Sequence, residues 1–266
     1  MQALAVPAKH GFAWIVDGYR LFTKSPLLLV MLVCSYSFIM VASNIVPVVG
    51  PLAVVVLTPA FLAGLMAACR ALEQGRAAEF RNLFAGFSTN FPALLRLGLA
   101  FLATAASILA LTSLIDGGNL MRMGLPAPAS NGEFVVDDKL ILALNVASLL
   151  FFPVAIVFFF ASMLAAWHGV PAVKGLFFSI FAGVRNIRAF LLYAVLLLAL
   201  NSILPALIFT MAVALFGETG ATLAVIVLMP VSFILLAVML ASIYVVYRDI
   251  FRDDTVDGLA QVPSQL

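Results

Sequence analysis

The side chains able to carry chemistry are few in this chain, and their spacing keeps them apart. Its only histidines are His10 and His168, and its only cysteines are Cys34 and Cys69. No set of histidine, cysteine and carboxylate has the short spacing of a zinc or catalytic-metal site, so a two-histidine site would need distant segments to converge. Phosphate-binding loops, dinucleotide fingerprints, nucleophile elbows and His-Glu-x-x-His helices are all missing from the sequence. Asp137-Asp138 and Asp249 with Asp253-Asp254 form acidic pairs, each placed in a loop or tail without a partner cluster, which reads as solvated surface. Cys34 and Cys69 lie in apolar runs and read as buried free thiols at different depths. The expectation is a protein that is not an enzyme, with no catalytic residues, no metal and no cofactor.

What remains lies inside the apolar runs. Pro59, Pro153, Pro205 and Pro230 each remove a backbone donor and can kink a helix. Three of them, Pro59, Pro153 and Pro230, recur at matching positions in the outer half of alternate runs. Irregular backbone at membrane depth needs protein or water around it, so these three with Asn201 form the candidate cavity or hinge. The plain alternative is a packing kink, because proline is commoner in membrane helices than in soluble ones. Asn145 and Asn201 are the polar groups within the runs, and a carboxamide in hydrocarbon is expected to find an interhelical hydrogen bond.

The elements that must carry these residues follow from composition. The 266 residues are 65% hydrophobic and 10% charged, with a mean hydropathy of +1.19. Soluble domains are about half apolar and about a quarter charged, and this chain has too few charges to cover a water-soluble surface. A bilayer core of about 30 Å needs about 20 apolar helical residues. Six such runs occur, at 27–46, 52–72, 93–115, 140–167, 189–216 and 221–247. Arg70 and Arg96 sit near run ends, where they can snorkel. Small residues at four-residue spacing (Ala60, Gly64 and Ala68; Ala63, Ala67 and Ala71) mark two close-packing faces of the second run. Short turns join the first two and last two runs, whereas 116–139, with its Gly, Pro and Asx content, reads as an irregular loop. The first run lacks a small-residue cleavage pattern and reads as an uncleaved span.

Orientation follows from Lys and Arg. Twelve of them (Lys9, Arg20, Lys24, Arg70, Arg76, Arg81, Arg96, Lys174, Arg185, Arg188, Arg248 and Arg252) fall on one side and two, Arg122 and Lys139, on the other. Basic residues stay cytoplasmic, so both termini are expected inside and the 116–139 loop outside. Reporter fusions at Asn131 and at Leu266 should therefore report opposite sides of the membrane.

The six runs also read as one hairpin used three times. Residues 84–95 and 181–192 lead into the third and fifth runs, both opening Phe-Ala-Gly and closing Leu-Leu, and 18–28 resembles them more loosely. Before the odd runs stand helical stripes: Phe12, Ile15, Val16, Tyr19 and Phe22; Phe80, Leu83, Phe84, Phe87 and Phe91; Val173, Leu176, Phe177, Ile180, Phe181, Val184 and Ile187. With basic residues alongside, these suit amphipathic helices in the cytoplasmic headgroup layer, or else stripes that pack on the bundle's own face. The fold expected is all-α, a polytopic six-helix membrane protein of three hairpins with cytoplasmic interfacial helices. It forms a single transmembrane domain over 1–250 (units of about 8–75, 76–170 and 171–250) and a flexible cytoplasmic tail at 251–266.

The opening segment 6–26, through its framework of Trp14, Gly18, Phe22 and Pro26, resembles an uncharacterised family of betaproteobacterial six-helix inner-membrane proteins. The three-hairpin layout is also similar to the membrane domain of some glycerophosphodiester phosphodiesterases. Their catalytic barrel of about 250 residues has no counterpart in these runs, so that activity is not carried over. The resemblance implies a bacterial inner-membrane location and supplies no activity. The function expected is a non-enzymatic protein that handles lipid or organises the envelope, the alternative being a small-solute transporter or channel. Ion-coupled transporters usually place an ionisable group within the membrane, and none is visible here. Membrane lipids are the expected partners, with a second copy or another membrane protein also open, and nucleic acid is not expected.

Overall fold

The computed structural model describes residues 4–123 and 137–251. Most of the 116–139 loop and of the 251–266 tail lies outside them. The described residues form helices: α1 (His10–Phe22), α2 (Pro26–Ser43), α3 (Val49–Glu73), a 3-10 helix (Phe80–Ser88), α4 (Phe91–Asp116), α5 (Asn119–Met123), α6 (Asp138–His168), α7 (Ala172–Arg185), α8 (Ile187–Phe216) and α9 (Glu218–Ile250). Six of these, α2, α3, α4, α6, α8 and α9, are 18–33 residues long and apolar enough to cross a membrane. They coincide with the six runs.

Local chemistry sets the ends. Pro26 opens α2 and Pro92 lies in the first turn of α4, where a missing N–H costs nothing. Asp137 caps α6 by accepting from the Leu140 amide at 2.9 Å, so this member of the acidic pair closes a helix end instead of remaining merely solvated. Gly117 and Gly169 end α4 and α6 with φ of 66° and 62°, a left-handed turn that a Cβ would strain. The loop after α4 is more regular at its start than its composition suggests. Asp116 accepts from the Gly118 and Leu120 amides, which seeds α5.

The chain divides into two compact units. One comprises Met1–Val33, Cys69–Ala78 and Phe181–Leu266, and its centre is α1 packed on α8 and α9. Gly11 and Gly18 let α1 approach: a Cβ on Gly18 would lie 2.4 Å from Ser242 Cα, and one on Gly11 would lie 2.6 Å from the Ala189 carbonyl oxygen. The other unit comprises Cys34–Ala68 and Glu79–Ile180. There α3 is the core helix, with 56% of its most apolar stretch inside the protein against 22% or less for the other spans. Its small-residue seam explains why. The backbone of Ala60 meets Gly86, Gly64 meets the carbonyls of Asn82 and Leu83, and Val56 meets Gly98 of α4. Without a hydrophobic drive between helices in lipid, such backbone approach is what holds spans together. Tyr36 of α2 adds a hydroxyl contact to Thr58 at 3.1 Å, while Thr58 itself donates to the Val54 carbonyl.

Candidate functional site

Within the first unit the basic ends of the helices bring together side chains that are far apart in sequence. Arg248, near the end of α9, bonds Glu73 at the end of α3 through one amino group (2.5 Å). Its other nitrogens donate to Asp249 Oδ1 at 2.8 and 3.0 Å. Tyr244, one turn earlier, donates to the second Glu73 oxygen at 2.5 Å. From α1, Trp14 Nε1 donates to Asp249 Oδ2 at 3.1 Å, and His10 Nδ1 stands 3.7 Å from the same oxygen. Every carboxylate oxygen of Glu73 and Asp249 is therefore engaged. Lys24 Nζ adds a bond to the Leu72 carbonyl at 3.2 Å. This is a closed clamp joining α1, α3 and α9, and charge-assisted bonds of this kind are roughly twice as strong as neutral ones. Asp249 is therefore a clamp residue and not the solvated surface that its sequence context suggests, because folding places an arginine and an indole against it.

Beneath the clamp lies an aromatic core. Trp14 is fully buried, with its ring 5.5 Å from Phe190 and 5.7 Å from Tyr193. The Tyr193 hydroxyl and Ser242 Oγ share a buried hydrogen bond of 2.5 Å. Beside them Asn186 is 1% exposed, in the break between α7 and α8. Its carboxamide accepts from the Val6 amide at 2.8 Å and donates to the Leu4 and Ala182 carbonyls. The Leu4 amide in turn donates to the Ile250 carbonyl at 2.9 Å. The N-terminal segment is thus held at the α7–α8 break by the Asn186 side chain and on α9 by the Leu4 amide.

Pro59, in α3, is buried in the second unit, whereas Pro153 of α6 stands exposed in the same unit. In the first unit Pro230 and Asn201 are both exposed. Asn201 donates to the Leu197 carbonyl at 2.9 Å and Asn145 to the Ile141 carbonyl at 2.7 Å, four residues back in their own helices. Among the described residues neither makes the interhelical bond expected of it, the i−4 carbonyl of its own helix taking the carboxamide donor instead. Cys34 and Cys69 are free thiols, the second of them buried. No cluster of three or more metal-ligating side chains occurs among the described residues.

A second feature concerns which face of α7 is docked. Gly175, Ser179 and Ala182 are buried, with Gly175 against Ala161 of α6. The large residues point away: Val173 is 79% exposed and Val184 69%, with Phe177, Phe178, Ile180 and Phe181 exposed beside them. Lys174 and Arg185 share this open side. In α1 the docked face is Gly11, Trp14, Gly18, Leu21 and Phe22, and the outward one carries Phe12, Tyr19 and Arg20. In α7 small side chains face protein and large apolar ones face out, whereas α1 docks through Trp14, Leu21 and Phe22 as well as its two glycines.

Six apolar helices of spanning length, with large apolar side chains on their open faces, define a multi-pass α-helical membrane protein. The chain matches no protein-family profile and no solved structure. It is 35% identical over 257 residues to the probable inner membrane protein BTH_II0599 of Burkholderia thailandensis, covering 94% of each chain. The protein belongs to that protein's family.

Proposed function

We propose that this chain is a non-enzymatic inner-membrane protein that handles lipid or organises the envelope, with both termini cytoplasmic and surface helices seated in the headgroup layer. The observation that carries this reading is the outward stripe of α7, where Val173, Phe177, Ile180, Phe181 and Val184 stand exposed beside Lys174 and Arg185. Aromatic and aliphatic side chains flanked by cations are the composition that binds the boundary between headgroups and acyl chains. The element order, a short helix followed by two long ones in each third of the chain, interrupted only by short α5, supports the threefold hairpin repeat. The relative's description as a probable inner membrane protein supports the location. The alternative reading is a small-solute transporter or channel, with Pro59, Pro153, Pro230 and Asn201 as its candidate cavity or hinge.

Nitroxide labels placed singly along α7 test the reading. In bilayers, labels at Phe177 and Val184 should collide with oxygen more than with a water-soluble nickel chelate, at a depth of about 5–10 Å below the phosphates.

A further inference from the structure

The α7–α8 corner carries a more specific inference, which rests on the lipid-handling reading. We infer that Arg185 and Arg188, with Phe181, Val184 and Ile187, form a headgroup site for anionic phospholipid.

The break at Asn186 fixes the geometry. Asn186 turns inward to hold Leu4 and Val6, and Ala182, Ala189 and Phe190 are buried with it. With those positions inside, Phe181, Val184, Arg185, Ile187, Arg188 and Leu191 are left exposed around one corner. Two guanidinium groups therefore share an open surface with four large apolar side chains. An anionic lipid supplies both complements in one molecule, a phosphate for arginine and an acyl chain for the apolar side chains.

Charge complementarity points the same way. The described residues of this unit hold eight cations (Lys9, Arg20, Lys24, Arg70, Arg76, Arg185, Arg188, Arg248) against four acids (Asp17, Glu73, Glu218, Asp249). Glu73 and Asp249 are engaged by Arg248, and Asp17 by Arg20 at 3.1 Å. Glu218 opens α9 at the end away from Arg248. Among the described residues the unit's carboxylates are thus spent or distant, and none of them pairs with Arg185 or Arg188, which stand beside exposed hydrocarbon. A free phosphate would satisfy the arginines alone and leave the apolar rim in water, so the site favours a lipid.

The test uses the full-length protein in detergent, titrated with phosphatidylglycerol, with phosphatidylcholine and with glycerol 1-phosphate, and read by native mass spectrometry. Wild type should bind phosphatidylglycerol most tightly and glycerol 1-phosphate least. At about fivefold for each basic residue near an anionic surface, Arg185→Gln with Arg188→Gln should weaken phosphatidylglycerol binding roughly 30-fold. Arg185→Lys with Arg188→Lys should retain most of it. Arg20→Gln with Arg76→Gln, which removes two exposed cations elsewhere in the unit, should change it by less than about twofold.

Equal losses in the two glutamine pairs would overturn the site by showing diffuse charge only. Binding of glycerol 1-phosphate as tight as that of the lipid would overturn the lipid assignment. If wild type prefers phosphatidylglycerol and the corner variants match it, the site falls and the lipid-handling reading stands. If wild type retains no phospholipid, both fall.

Discussion

Replacing Trp14 with alanine is expected to lower the unfolding free energy of the detergent-solubilised protein by about 3–5 kcal/mol, the range for truncating a buried tryptophan. Trp14 is fully buried between Phe190 and Tyr193, so its removal leaves a cavity that α1, already in backbone contact with α8 and α9 at Gly11 and Gly18, has little freedom to fill. The variant also deprives Asp249 Oδ2 of its indole donor. Trp14→Phe separates the two contributions. It keeps most of the ring contact and loses the donor, so it should cost about 1 kcal/mol for the hydrogen bond plus a small packing loss. Unfolding in sodium dodecyl sulfate followed by circular dichroism checks both variants. Equal losses for alanine and phenylalanine would mean that the hydrogen bond, not the packing, holds α1 in place.

The second large effect belongs to the other unit. Gly98→Leu should yield no folded protein, and Gly98→Ala should cost about 3 kcal/mol or more. A Cβ at this position would lie 1.8 Å from the Val56 carbonyl oxygen and 2.6 Å from its carbon. Both atoms are backbone, so α3 and α4 would have to separate along their contact. Gly183 is the matched control. A Cβ there meets nothing within 4 Å, so Gly183→Ala should be neutral or stabilise by up to about 1 kcal/mol through helix propensity. Size-exclusion profiles and thermal midpoints in detergent distinguish these outcomes. Comparable behaviour of Gly98→Ala and Gly183→Ala would contradict the close approach of α3 to α4.

The contrast between what could be read in the sequence and what could not has a physical basis. The six spans were legible because hydrocarbon thickness imposes a length and a composition that little else produces. The seam of α3 was legible too, since four-residue spacing of Ala and Gly has few other uses in a membrane helix. The lead-in segments were legible as helices, though 80–88 is wound as a 3-10 helix. Their docked faces were harder to read. In water the large apolar side chains of α7 would mark the buried face, but in lipid there is no drive to bury them, and the inward positions went to Gly175, Ser179 and Ala182.

In α1 the stripe that includes Phe12 and Tyr19 gave no hint that Trp14 is the anchor. The only signal was the framework of Trp14, Gly18, Phe22 and Pro26, the first three of which lie on the docked face of α1. The clamp left no trace in spacing. Glu73 and Arg248 are 175 positions apart, and Trp14 and Asp249 are 235 apart, so only the folded chain reveals them as partners. Asn186 was equally silent, one polar residue in a basic lead-in whose role depends on an N-terminal segment that ordinary propensity would leave loose.

The central proposal is that this membrane protein rests α7 in the lipid boundary with its large apolar side chains turned outward. The nitroxide scan of α7 tests it most directly, because it reads orientation and depth residue by residue. Labels at Val173, Phe177, Phe181 and Val184 should report high oxygen and low nickel accessibility, with labels at Ser179 and Ala182 immobilised and shielded from both. Nickel accessibility as high at Phe177 and Val184 as in water, or a pattern with Ser179 and Ala182 facing lipid, would contradict it.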